Sequence, residues 1–173
     1  MKKVNLIILM MLSSCGLFAQ NLSMSQLMEI RMKSLGDAEE YLTGKGWEFL
    51  NAEDENSERL GYATFSYEKD YMSDLAASFL SFYYSEYLDV KRISIQVNKI
   101  EKYNEYLNAI KSYKCKMISS TVENGNLVKV YRGATTTFKI TSSTSENSFN
   151  VESANWKIFV LSNDDYDLNW GNK

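Results

Sequence analysis

Residues 92–114 read RISIQVNKIEKYNEYLNAIKSYK, and the change of period inside this stretch decides the fold class. Ile93, Ile95 and Val97 alternate with Arg92, Ser94, Gln96 and Asn98. Strict alternation of apolar and polar side chains predicts a half-buried antiparallel strand. From Ile100 the period lengthens. Ile100, Tyr103, Leu107 and Ile110, joined by Tyr106 and Tyr113, form one stripe at helical spacing. Asn98 followed by Glu101 predicts a capping box. Lys111 and Lys114 put cations at the negative end of the helix dipole.

Upstream, Leu35, Ala38, Tyr41 and Leu42 fall at helical spacing, with Asp37, Glu39 and Glu40 on the outer side. Gly44 and Gly46 mark the stop of this helix. The apolar pattern extends back through Leu27 and Ile30, as part of this helix or as a separate turn. Strands are predicted at 47–50, 62–67, 77–87 and 92–98, with a polar loop over 51–61. Downstream, strands are predicted at 116–122, 127–132, 135–142 and 156–161. The first two flank Asn124-Gly125, the favoured filling of a two-residue hairpin turn. Residues 141–150 read as a Ser/Thr/Asn-rich loop, and the tail from Ser162 as polar and acidic.

The order repeats. Glu40-Tyr41-Leu42 recurs as Glu105-Tyr106-Leu107, and each copy precedes four strand signals. The expected fold is therefore α+β: a tandem helix-plus-four-strand repeat, halves about 35–98 and 99–162. Its antiparallel sheet carries two helices packed on one face. The opposite face is left to solvent or a partner. The layout is similar to that of tandem β-lactamase-inhibitor-like proteins, a likeness of architecture only.

The N-terminus sets an expected compartment. Lys2 and Lys3 precede an apolar run over 4–12 interrupted by Asn5. The run is too short to span a bilayer, which takes about 20 residues. It reads as a signal peptide over 1–19, leaving a single domain over 20–173. Two processing routes stay open. Cleavage after Ala19 gives a periplasmic or secreted protein. The run Leu12-Ser13-Ser14-Cys15 resembles a lipobox, and lipidation of Cys15 gives a membrane-anchored lipoprotein.

Composition excludes several chemistries. The net charge of −3 becomes more negative when Lys2 and Lys3 are lost. That sign argues against nucleic acid, whose phosphates select basic surfaces. Histidine is absent. Ser-His and Cys-His nucleophile pairs, and the commonest zinc ligand, are excluded with it. Cys115 is the one cysteine outside the leader and reads as a small buried hydrophobe. Gly44-Lys45-Gly46 follows a helix where a phosphate loop would precede one. The acid clusters Glu39-Glu40, Glu53-Asp54-Glu55 and Asp164-Asp165-Asp167 leave a carboxylate-based hydrolase as a minor alternative. No metal site and no cofactor is expected.

Aromatic residues, at 13% of the chain, are the unusual feature. Tyr67, Tyr71, Phe79, Phe82, Tyr83, Tyr84 and Tyr87 concentrate around the third strand, and alternation sends some of them to the side away from the helices. The candidate binding residues are Tyr67, Tyr83, Tyr84, Tyr87, Tyr131 and Arg132. The expectation is a non-enzymatic exported module that binds a protein partner through the open sheet face. The alternative is a glycan or small-ligand binder using the same tyrosines.

Overall fold

Two serine caps begin the part of the computed structural model that is described, residues 21–72, 75–146 and 152–171. Ser23 Oγ accepts from the Gln26 amide, and Gln26 Oε1 accepts from the Ser23 amide at 2.8 Å. This capping box starts α1 (Met24–Ile30), which buries Met24, Leu27 and Ile30. Ser34 Oγ accepts from the Asp37 amide at 3.2 Å and starts α2 (Leu35–Thr43), which buries Ala38 and Leu42. Gly46, at φ +80°, turns the chain into the sheet.

The remaining elements are β1 (Trp47–Glu53), β2 (Gly61–Lys69), β3 (Ala76–Tyr84), β4 (Arg92–Val97), α3 (Ile100–Ser112), β5 (Lys116–Glu123), β6 (Asn126–Arg132), β7 (Thr136–Glu146), β8 (Glu152–Ser162) and α4 (Asn163–Asn169). The protein is α+β, with one antiparallel sheet of eight strands in the order β1-β2-β3-β4-β8-β7-β6-β5. After β4 the chain crosses by α3 to the far edge and returns strand by strand to lie beside β4. At that seam Ile93 faces Val160, Ile95 faces Ile158 and Val97 faces Trp156. Asn124 and Gly125 take φ 51° and 79°, as the tight β5–β6 turn requires.

Several expectations change. Four helices occur among the described residues where two were anticipated. The pattern at Leu27 and Ile30 is a helix of its own. The capping box at Asn98 and Glu101 does not form: the cap is Lys99, with no side-chain bond, and Asn98 Nδ2 donates to the Ala76 carbonyl. The buried stripe of α3 is Tyr103, Tyr106 and Ile110, while Ile100 is exposed. Tyr106 turns inward because its hydroxyl donates to the Leu22 carbonyl at 2.7 Å, so a large ring is buried with its polar atom satisfied. The strand expected over 77–87 ends at Tyr84. Beyond it Glu55 draws the chain away, accepting from Ser85 Oγ at 2.6 Å and the Glu86 amide at 2.8 Å. The expected loop over 141–150 is strand as far as Glu146, paired in register with β8. Polar β-branched residues suit a strand as well as a loop. The acidic tail forms α4. Ser162 caps it, and Asp164 and Asp165 lie in its first turn, where carboxylates complement the dipole.

One face of the sheet carries Phe65 and Tyr67 of β2, Leu80 and Phe82 of β3, and Ile93 and Ile95 of β4. Ile158 and Val160 of β8, Phe138 and Ile140 of β7 and Tyr131 of β6 continue it. These residues share a single core with Leu27, Ile30, Leu42, Tyr103, Tyr106 and Ile110 from α1, α2 and α3. Each fully buried aliphatic side chain there contributes about 1.5–3 kcal/mol. Arg31, at the end of α1, is buried as well. Its Nη2 donates to Thr136 Oγ1 at 3.2 Å, while Nε and Nη1 meet no partner among the described residues. Burial lowers its pKa, against a counteracting influence of Asp165. No described helix is long and apolar enough to cross a membrane.

Candidate functional site

Alternation sends a second set of side chains to the other face. Tyr62, Thr64 and Ser66 of β2 lie opposite Tyr83, Ser81 and Phe79 of β3. These continue into Arg92, Ser94 and Gln96 of β4. Phe159 and Lys157 of β8 stand opposite Ser94 and Gln96, and Lys139 and Thr141 of β7 extend the rows.

A chain of rings crosses this face. Tyr62 stands 6.2 Å from Tyr83, Tyr83 6.0 Å from Phe159 and Phe159 5.9 Å from Trp170, centroid to centroid, and Trp170 stacks on Tyr166 at 6.3 Å. Such pairs contribute about 0.5–1.5 kcal/mol each beyond area burial. Cations lie against the rings. The Arg92 guanidinium lies 4.7 Å from the Trp170 centroid and 5.7 Å from that of Tyr83. Lys139 lies 5.4 Å from Trp170, and Lys157 lies 5.1 Å from Phe159. All five rings are half-buried, so each keeps some surface for solvent or a partner.

The C-terminal helix α4 clamps one end of the row. Arg92 donates to Asp165 from Nε at 2.9 Å and from Nη2 in a two-pronged pair, both side chains nearly buried. Arg132 donates to Asp167 at 2.6 and 2.7 Å in a second fork. The Arg132 fork holds the Asp167 carboxyl below its ordinary range. The same hydrogen bond raises Arg132, and burial raises the Tyr166 phenol. Asn163 anchors the helix start, accepting from Thr137 Oγ1 at 2.8 Å and donating to the Ala134 carbonyl at 3.0 Å. Leu161, Thr137 and Val130 are buried on this side of the sheet.

Toward the other end of the face the rows open into a groove of about 540 Å³ lined by Phe79, Gln96, Asn126, Thr141, Asn155 and Lys157. Among the described residues its lining sets amides, hydroxyls and one cation beside apolar Leu75, Ala77, Phe79 and Val97, and includes no carboxylate.

The sequence-chosen residues part company. Tyr83 stands in the ring row and Arg132 in the α4 clamp. Tyr67 lies on the helix side, buried against Trp47 at 5.4 Å. Tyr131 is buried on that side too, because it pairs with Phe138. Tyr84 is half-buried on the helix side. Its hydroxyl donates to the Glu53 carbonyl at 3.3 Å, and its ring fills the space a Cβ at Gly61 would need. Tyr87 is 84% exposed on the loop after β3. Cys15 lies outside the described residues. Cys115 is free and half-buried, its thiol raised by burial.

Tyr62, Arg92, Phe159 and Trp170 were not singled out from sequence. A signal existed for Phe159: the run Trp156-Lys157-Ile158-Phe159-Val160-Leu161 is apolar at both parities, so β8 needs cover on both sides. For Arg92 the signal was its place on the polar side of β4. Of the acid clusters, Glu53 accepts from Tyr62 at 2.5 Å and pairs with Arg59, and Asp165 and Asp167 hold the arginines. Among the described residues no group of three or more His, Cys, Asp or Glu is placed to hold a metal ion. No family model, curated protein or solved structure matches the chain.

Proposed function

We propose that this protein is an exported, non-enzymatic interaction module that binds a protein partner through the sheet face opposite α1, α2 and α3. The supporting observation is the row Tyr62–Tyr83–Phe159–Trp170, with Arg92 between Tyr83 and Trp170 and Lys139 over Trp170. Half-exposed aromatics and arginine on a rigid strand platform are the residue types that dominate protein–protein hot spots. Strands hold these side chains in place beforehand, which lowers the entropy lost on docking. Export follows from the reading of residues 1–19, with anchoring through Cys15 as the other route.

We also infer a tandem origin for the two halves. The strand order runs outward symmetrically from the β4–β8 seam, where Ile95 faces Ile158. Each edge strand carries an irregularity early in its course, between Phe49 and Asn51 in β1 and between Met117 and Ser119 in β5.

The test is affinity purification of the tagged protein from its native envelope and medium fractions, beside a Tyr62→Ala/Tyr83→Ala variant that melts within a few degrees of the wild type. A stoichiometric protein retained by the wild type and lost by the variant supports the reading. Equal retention by both removes the ring row from the interface.

A second reading, glycan or small-ligand binding, is favoured by the groove. Phe79 offers one stacking surface, and Gln96, Asn126 and Asn155 offer amides, a combination suited to hydroxyl-rich ligands. Glycan-array binding lost on Phe79→Ala and Gln96→Ala would move the function there.

A further inference from the structure

The sheet ends in two unlike edges. β1 is acidic: its charged residues, Glu48 and Glu53, have one sign. β5 reads Lys116-Met117-Ile118-Ser119-Ser120-Thr121-Val122-Glu123, with opposite charges at its two ends. It is the last strand in the order, so the backbone groups pointing away from β6 meet no strand among the described residues. Its apolar side chains are unusually bare: Val122 is 73% exposed, Met117 55% and Ile118 49%. Tyr113 and Leu127 beside them are exposed too. A long edge with bare β-branched and apolar side chains is a template for another strand.

We propose that β5 pairs antiparallel with β5 of a second copy, about a two-fold axis normal to the sheet at Ser120. The irregularity in β5 makes this register work. Met117 pairs with Tyr131 and Ser119 with Val130, so Ile118 is an extra residue that shares a step with Met117. Directly opposed residues in an antiparallel pair must point to the same face. In an unbroken strand Lys116 and Glu123 would point to opposite faces, because an odd number of steps separates them. The extra residue brings them to the same face.

Counting out from Ser120, Ser119 then faces Thr121 of the second copy. Met117 and Ile118 face its Val122, and Lys116 faces its Glu123, whose carboxylate also accepts from Lys139 of its own chain at 3.3 Å. Every opposed pair agrees in face and in chemistry: hydroxyl with hydroxyl, apolar with apolar, cation with anion. Cross-strand pairs of these kinds are the unit of sheet stabilisation. The self-complementarity is what a two-fold interface demands. The product is one continuous sheet of twice the width, with both copies' ring rows on the same side. A strand pair of this length falls at the small end of specific interfaces, so dimerisation in the micromolar range is expected. The edge pairing is independent of whether the ring row has a partner.

Charge reversal tests the register. Lys116→Glu sets acid against acid at both ends of the pair, and Glu123→Lys sets base against base. Each variant alone is expected to dimerise about tenfold or more weakly than the wild type. An equimolar mixture of the two restores the dimer, because each copy then supplies the charge the other lacks. Sedimentation equilibrium from about 1 µM to about 200 µM reads the constants, with circular dichroism checking that each chain is folded. Val122→Lys, at an exposed position, is a second route to the same loss. A wild type that stays monomeric across the range overturns the proposal. So does a dimer that both reversals leave intact, or a mixture no tighter than its components.

Discussion

The two faces of the sheet are built from the same strands by the same alternation, yet different forces hold them. On the helix side Leu80, Ile95, Ile158 and Phe138 are buried in a core shared with residues of α1, α2 and α3, and burial of apolar area is the main stabilising force. On the other side rings and cations lie in a row, fastened at one end by two arginine–carboxylate forks. Apolar burial tolerates no gap. A row of half-exposed rings loses little when one member is changed. The helix side therefore carries most of the stability, and the opposite side depends on the α4 clamp more than on any single ring.

The sharpest break of that contrast compares neighbours on β3. Leu80→Ala, at a fully buried site, is expected to cost about 3–4 kcal/mol. Ser81→Ala, one residue on and facing the other way, should stay within about 0.5 kcal/mol. Urea denaturation of the two variants checks the pair.

Next is the α4 clamp. Asp165→Ala leaves Arg92 nearly buried without its carboxylate and is expected to cost about 3 kcal/mol. Trp170 fluorescence should shift as the ring leaves Arg92, and an Arg92→Met/Asp165→Leu double variant should recover part of the loss.

Extremes of pH should separate the faces. Asp167 has a lowered folded pKa. Its contribution is present above the unfolded carboxyl value near 4 and is lost as pH falls through the folded value. Acid should therefore loosen α4, read by Trp170 emission. Tyr106 has a phenol strongly raised by burial. Its contribution is present below the unfolded phenol value near 10 and is lost as pH rises toward the folded value. Alkali should therefore open the helix side, with tyrosinate absorbance rising together with loss of circular dichroism.

Arg31 is a polar intrusion on the helix side. Replacing it with Met exchanges a buried, under-bonded cation for a side chain of similar volume. The change is expected to be neutral or to stabilise by about 1 kcal/mol, measured by thermal melting. A modest effect is expected in the ring row: Tyr83→Ala should cost about 1 kcal/mol while abolishing partner retention in affinity purification.

Much of the fold was legible. The period change at Ile100 announced a strand passing into a helix, and each of the eight strands overlaps a predicted one, although β3 ends early at Tyr84, β1 and β7 run on into stretches read as loop and β8 begins ahead of its predicted range. The candidate site was legible only in part. Tyr83 and Arg132 lie on the ring-row side, whereas Tyr67 and Tyr131 went to the core. An aromatic residue suits either face, and parity within one strand does not say which face is covered.

By itself the sequence determined the local periods, the turn at Asn124-Gly125 and the lack of histidine chemistry, because these depend only on near neighbours and residue types. Tertiary structure alone decided which face each tyrosine took and where the acidic tail settled. Faces are assigned by register with partner strands, as in Ile95 against Ile158, and one extra residue such as Ile118 reverses every parity beyond it. The Arg92–Asp165 fork joins residues far apart in the chain, and no local pattern records such a contact.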